Sequence, residues 1–232
     1  AEAAGFSDHE ESADDQEASG NAGDTSHETE ASADSTEDTD SADGEFSDGS
    51  EDAQMAGTTV IDTSQQLTGT HHAAITVKDY GEIDVELDAD TAPITVTKFC
   101  KAGTGQFYDG LTFHRIIDGF MIQGGDPNGD GTGGAEDTIK GEFSSNGVKN
   151  DISHVRGTIS MARSTDPDSA SSQFFIVQSD STHLDGDYAA FGHVTSGMDI
   201  VDQICKDAKP TDGNGTIAKD QQPVIESIRM VD

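Results

Sequence analysis

Between Phe113 and Asp126 the chain sets one arginine, Arg115, and one glutamine, Gln123, among Phe113, Ile116, Ile117, Phe120, Met121 and Ile122. Gly124 and Gly125 close the stretch. A guanidinium is permanently charged, and placing it among large apolar side chains is costly unless it has work to do. Such a pairing offers a fixed hydrogen-bond donor, charged at any working pH, beside an apolar surface. Read as strands, alternate residues share a face, so Phe113, Arg115 and Ile117 point one way. Past the Asp118-Gly119 turn, Met121 and Gln123 share a face, with Phe120 and Ile122 opposite unless the turn shifts the register. Taken singly, Phe120, Met121 and Phe175 read as ordinary core, and Arg115 as an ion-paired strand residue.

Other patterns suggest different chemistry and each is weaker. Asp126-Pro127-Asn128-Gly129-Asp130-Gly131, with Asp137 twelfth, mimics a calcium loop. Pro127, a terminal Asp in place of Glu and flanking strand patterns all argue against it. Gly129-Asp130-Gly131-Thr132-Gly133-Gly134 fits GxGxxG, but no helix or βαβ unit follows. His71-His72, His154 and His193 lack a third ligand at metal spacing, so they read as satisfied polar or surface residues. Ser160 and Ser172 lack a GxSxG context, and nothing in the sequence supports a hydrolase triad. Cys100 and Cys205 sit in neither a CxxC nor a metal-ligand spacing and read as free thiols. No metal and no cofactor are expected.

The elements that position these residues begin well into the chain. Residues 1–55 hold 19 Asp or Glu, no Lys or Arg, and only Phe6, Phe46 and Met55 as apolar anchors. Such a segment cannot bury enough apolar surface to offset its chain entropy, so residues 1–56 read as an acidic, disordered, low-complexity leader. The remaining 46 − 19 = 27 acids face 12 basic residues, so residues 57–232, read as the folded domain, are acidic too. That argues against nucleic-acid backbone binding and attraction to anionic membranes. No apolar run is long enough to cross a bilayer, so membrane insertion is not expected of this chain. The leader suits the tether of an exported or surface-anchored protein beginning at Ala1 after removal of an upstream segment. It equally suits a solvated tail or adaptation to high salt.

From Ala73 onward the pattern is mainly β. Ala74–Val77 and Ile83–Leu87 alternate around Lys78-Asp79-Tyr80-Gly81 and read as a hairpin. Residues 92–102, with Pro93 near the start and Gly103 after the end, read as a helix. Short strands are expected at 113–117, 120–124, 155–161, 173–177 and 190–194, a second helix over 198–206, and a closing strand over 224–230. Many short strands with Gly-rich turns indicate a sandwich or a closed barrel.

Five ordered blocks choose between them. Residues 113–126 are followed by Gly157-Thr158-Ile159-Ser160-Met161-Ala162-Arg163, Ser172-Gln173-Phe174-Phe175-Ile176, His183-Leu184-Asp185-Gly186 and Phe191-Gly192-His193-Val194. In order and approximate spacing they resemble the cyclophilin-type peptidyl-prolyl isomerases, over roughly residues 70–232. The resemblance implies a closed eight-stranded antiparallel barrel with a helix over each end, Cys100 and Cys205 lying on opposite caps. It implies catalysis of rotation about X-Pro bonds in unfolded or nascent polypeptides, by a monomer, without a covalent intermediate. Arg115, Phe120 and Gln123 would be catalytic. Met121, Phe175 and Leu184 would complete the floor for the proline ring, and Gly131, Ala162, Arg163, Gln173, His183 and Tyr188 would line the groove. His183 stands where many members carry Trp, Tyr188 where many carry His, Asp118 where Pro is common, and Arg163-Ser164 replaces Asn-Ala, choices that resemble prokaryotic members.

Overall fold

The computed structural model describes residues 65–232; the acidic leader read from composition lies outside the described residues. Eight strands form one antiparallel sheet: β1 (Thr70–Val77), β2 (Gly81–Asp88), β3 (Phe113–Ile117), β4 (Met121–Gly124), β5 (Thr158–Met161), β6 (Phe174–Val177), β7 (Ala190–Ser196) and β8 (Ile225–Met230). Their order is β3-β4-β6-β5-β7-β2-β1-β8. The sheet curls until its two edges meet, as the resemblance implied. Gly110 N–H donates to Ile225 O at 2.8 Å, Ile225 N–H to Leu111 O at 2.7 Å, and Phe113 N–H to Pro223 O at 2.9 Å.

Inside the curl lies an apolar core built from alternate residues of the strands, including Ile75, Ile83, Phe113, Ile122, Ile159, Phe174, Ile176 and Phe191. Helix α1 (Pro93–Thr104) drives Phe99 into it, with ring centroids 5.4 Å from Tyr108, 5.4 Å from Phe174 and 5.2 Å from Phe191. Helix α2 (Met198–Asp207) buries Val201, Ile204 and Cys205. Burial raises the Cys100 and Cys205 thiols to about 12, so both remain protonated on their separate helices.

Local chemistry accounts for the departures from expectation. Gly103 does not end α1; it lies in its last turn, where a Cβ would come within 3.1 Å of Met230 Cε. The helix start lacks a capping side chain at Ala92. Instead the buried Glu142 carboxylate accepts Ile94 N–H at 3.0 Å and Thr95 N–H at 2.8 Å, placing a negative charge at the positive end of the helix. The strand expected over 155–161 begins only at Thr158, because Gly157, at φ 92°, completes a turn closed by Thr158 N–H to Val155 O. Phe113 does not share a face with Arg115. The β3–β4 register pairs Phe113 with Gly124 and Arg115 with Gln123, a bulge at His114 that turns Phe113 into the core and leaves Arg115 outside.

Candidate active site

The bulge creates the site. With Ile116 and Ile122 facing inward, the outer face of β3 and β4 carries Arg115, Met121 and Gln123. On β6, paired with β4, Phe174 and Ile176 face the core while Phe175 and Val177 face outward. A second apolar cluster forms there from Met121, Ala162, Phe175, Val177 and Leu184, with Ile117, Phe120 and Tyr188 packed on it. Phe120 sides with Met121 because it lies in the 118–120 turn, outside β4, where strand alternation does not apply. Arg115, Phe120, Met121, Gln123, Phe175, Leu184 and Tyr188 line a shallow pocket.

Polar groups at this pocket form a directed chain. Arg115, only 8% exposed, donates from Nε to Asn214 O at 2.7 Å and from Nη1 to Gln123 Oε1 at 3.3 Å. Gln123 Nε2 donates to Gln173 Oε1 at 2.9 Å, and Gln173 Nε2 to Gly131 O at 3.1 Å and Gly133 O at 2.7 Å. Each bond fixes the orientation of the next. Burial pulls the guanidinium below its ordinary value, with Tyr188 and Asp212 opposing, yet an arginine starting so high stays charged.

The remaining expected residues take distinct places. Gly131 lies outside the pocket and serves it through its carbonyl. Its loop is held by Asp126, whose carboxylate accepts N–H bonds from Asn128 at 2.8 Å, Asp130 at 3.1 Å and Gly131 at 2.6 Å. That is an anchor for backbone, with no helix on either side of the loop. Arg163 does not reach into the pocket. Its Cζ lies 4.8 Å from the Tyr188 ring centroid and 5.1 Å from that of Phe143, and its Nε and Nη2 donate to Asp187 O. It buttresses Tyr188. His183 is exposed and stacks on Phe120 with centroids 6.0 Å apart.

A polar group lies beneath the pocket, built from His154, Ser160 and Asp185, which no sequence motif links. His154, fully buried, has Nδ1 2.9 Å from Asp185 Oδ1 and Nε2 3.0 Å from Ser160 Oγ. Ser153 Oγ and His154 N–H also donate to Asp185, which holds its carboxyl below the usual carboxylate range although burial pushes the other way. Burial likewise holds His154 below its ordinary value. A neutral ring donating from Nδ1 and accepting the Ser160 hydroxyl satisfies every partner. The row has the order of a hydrolase triad, but Ser160 is completely buried. The imidazole instead lies parallel to Phe175 at 6.0 Å and edge-on to Tyr188 at 6.4 Å, supporting two walls of the pocket. No spacing motif links these residues, and Asn214 is 99 positions from Arg115; only contact in the fold joins them. A larger open groove runs between α1 and residues 135–139, lined by Ile94, Ala102, Phe107 and Ile139 together with Lys98 and Lys101.

Comparison with known proteins gives the family. Residues 72–230 match the family model described as cyclophilin type peptidyl-prolyl cis-trans isomerase/CLD. The chain belongs to this family. The cyclophilin is 46% identical over 124 residues to peptidyl-prolyl cis-trans isomerase B of Bacillus subtilis, covering 53% of this chain and 83% of the relative. It is 36% identical over 169 residues to peptidyl-prolyl cis-trans isomerase A of Dickeya dadantii, covering 71% and 86%. A crystal structure of a Cryptosporidium parvum cyclophilin superposes with TM-score 0.62 at 27% identity, covering 71% of this chain and 99% of that one. The same parasite protein determined in the presence of the dipeptide Ala-Pro gives TM-score 0.61 at 28% identity, covering 69% and 99%. This cyclophilin is a peptidyl-prolyl cis-trans isomerase acting on proline-containing peptides.

Proposed function

We propose that Arg115 is the catalytic donor and that the pocket beside it holds the proline ring. Resonance in the X-Pro amide sets a rotation barrier of about 18–20 kcal/mol. The two isomers differ by only about 0.5–1 kcal/mol, so catalysis needs no covalent chemistry. Twisting the amide returns a lone pair to its nitrogen. A charged donor facing that nitrogen is favourable only in the twisted state and so lowers the barrier selectively. Phe120, Met121, Phe175 and Leu184 grip the ring. Gln123 uses one amide hydrogen on Gln173 and has a second for a substrate carbonyl. Ala162 and Arg163 support the groove wall, and Tyr188 and His183 bound its far side.

The observation that carries this reading is the fixed guanidinium at an apolar pocket, held by a carbonyl and a neutral amide. An Arg115→Ala variant should lose about a hundredfold to a thousandfold in isomerisation of an Ala-Pro peptide, the scale of removing one transition-state donor. An unchanged rate refutes the assignment. The open pocket contacts the proline and its immediate neighbours, which suits unfolded or nascent polypeptides as substrates. Val155 and Val231 are the exposed large apolar side chains among the described residues, and this supports action as a monomer.

A further inference from the structure

Strand β3 is an edge of the sheet, yet the backbone around Arg115 is not left open. Residues 210–217 fold into a small hairpin, with Thr211 N–H donating to Thr216 O at 2.8 Å and Pro210 bridging Ile217. Its return arm runs antiparallel along β3, pairing Thr216 with Arg115. Ile116 N–H donates to Gly215 O at 2.8 Å and Ile217 N–H to His114 O at 2.9 Å. Gly215, at φ 85°, passes so close that a Cβ would lie 2.5 Å from Ile117 Cγ1 and 2.7 Å from Ile116 O. From the hairpin tip comes the Asn214 carbonyl that accepts Arg115 Nε. One side chain ties the tip together: Asp212 Oδ1 accepts the N–H of Asn214 and of Thr216, both at 3.0 Å. Asp212 itself is exposed and lines neither the pocket nor the core.

We propose that Asp212 is a positioning residue for the isomerisation, fixing the Asn214 carbonyl and through it the direction in which the Arg115 guanidinium points. This rests on the reading of Arg115 as the donor. Anchoring Nε leaves Nη1 directed at Gln123, which lines the pocket. The value of a transition-state donor lies in needing no reorganisation when the amide twists. An arginine on a long flexible stem has that property only if something far from the reacting atoms fixes its planar head. The hairpin supplies that fixation, and Asp212 stiffens the hairpin. Nothing in the local sequence around Arg115 encodes it.

Initial rates on an Ala-Pro peptide over a range of concentrations, with the full chain, separate kcat from KM. Asp212→Ala should lower kcat about tenfold, since small misplacement of a catalytic group is costly, with KM and thermal midpoint close to wild type. In Asp212→Asn the amide oxygen can accept the same two N–H groups, so kcat should stay within about threefold of wild type, the charge at this exposed site being worth little. Gly215→Ala, which lifts the same hairpin by a steric route, should reproduce the fall in kcat. Loss of activity in Arg115→Ala together with an unchanged kcat in Asp212→Ala overturns the inference while leaving the donor assignment intact. An Asp212→Asn variant as slow as Asp212→Ala also overturns it, because the charge would then matter and the hairpin geometry would not. If Arg115→Ala retains full activity, the donor assignment fails and the inference falls with it.

Discussion

Replacing Gln123 with a glutamate changes one nitrogen into oxygen and tests the chain of hydrogen bonds at its middle. In the native protein Gln123 Oε1 accepts from Arg115 Nη1 at 3.3 Å, and Nε2 donates to Gln173 Oε1 at 2.9 Å. A carboxylate at 3.3 Å from the guanidinium is attracted by about 5 kcal/mol at an effective dielectric constant near 20. Much of that is offset by burying the new charge, because the site is only 2% exposed. What remains draws Arg115 toward the new carboxylate and neutralises the charge that we propose acts on the twisted amide. A charge-assisted bond is roughly twice as strong as a neutral one, so the donor should lose about 1.5–3 kcal/mol of transition-state interaction, or about tenfold to a hundredfold in rate. The other half of the change is structural. A carboxylate oxygen now opposes Gln173 Oε1, and relief by an amide flip takes Gln173 Nε2 away from Gly131 O and Gly133 O. Either outcome leaves buried polar atoms poorly matched, at about 1–3 kcal/mol of folding stability. The assay is kcat/KM on an Ala-Pro peptide combined with urea unfolding. A Gln123→Glu variant with wild-type rate and stability would refute both the relay and the role of Arg115 charge.

Two further outcomes follow from the buried groups. Burial holds His114 and His154 below their ordinary value of 6.5, although Asp126 and Asp185 respectively oppose it, so between 6.5 and their folded values the unfolded chain binds more protons. Their contribution is therefore complete above about pH 6.5 and is lost as pH falls, so urea unfolding should show lower stability near pH 5 than near pH 7. The dependence should flatten in His154→Gln. An equally steep slope in that variant would remove His154 from the account. Phe175→Ala should cost about 3 kcal/mol of stability and raise KM for prolyl peptides, because Phe175 is 5% exposed and forms a wall shared by the pocket and the His154 ring. An unchanged KM would show that the proline ring does not rest there.

Alternation of large apolar residues with turn signals made the strands and both helices legible, because period and punctuation are local properties. The five ordered blocks also fixed the family and pointed to the residues of the pocket. The same local logic misplaced Phe113, since a one-residue bulge at His114 reverses faces without leaving a mark on the pattern. It also ended α1 before Gly103, which lies in the last turn of the helix, close against Met230 of β8. It set aside His154 and Ser160 for lack of a motif, although with Asp185 they support the pocket floor. By itself the sequence determined that a charged donor sits among apolar strand residues in a mainly β domain of this family. Only the tertiary structure decided where that donor points. Asn214 lies 99 positions from Arg115, and Gln173 lies 50 from the Gln123 it orients. Hydrogen bonds between segments so distant are set by how the sheet closes, which no local spacing encodes.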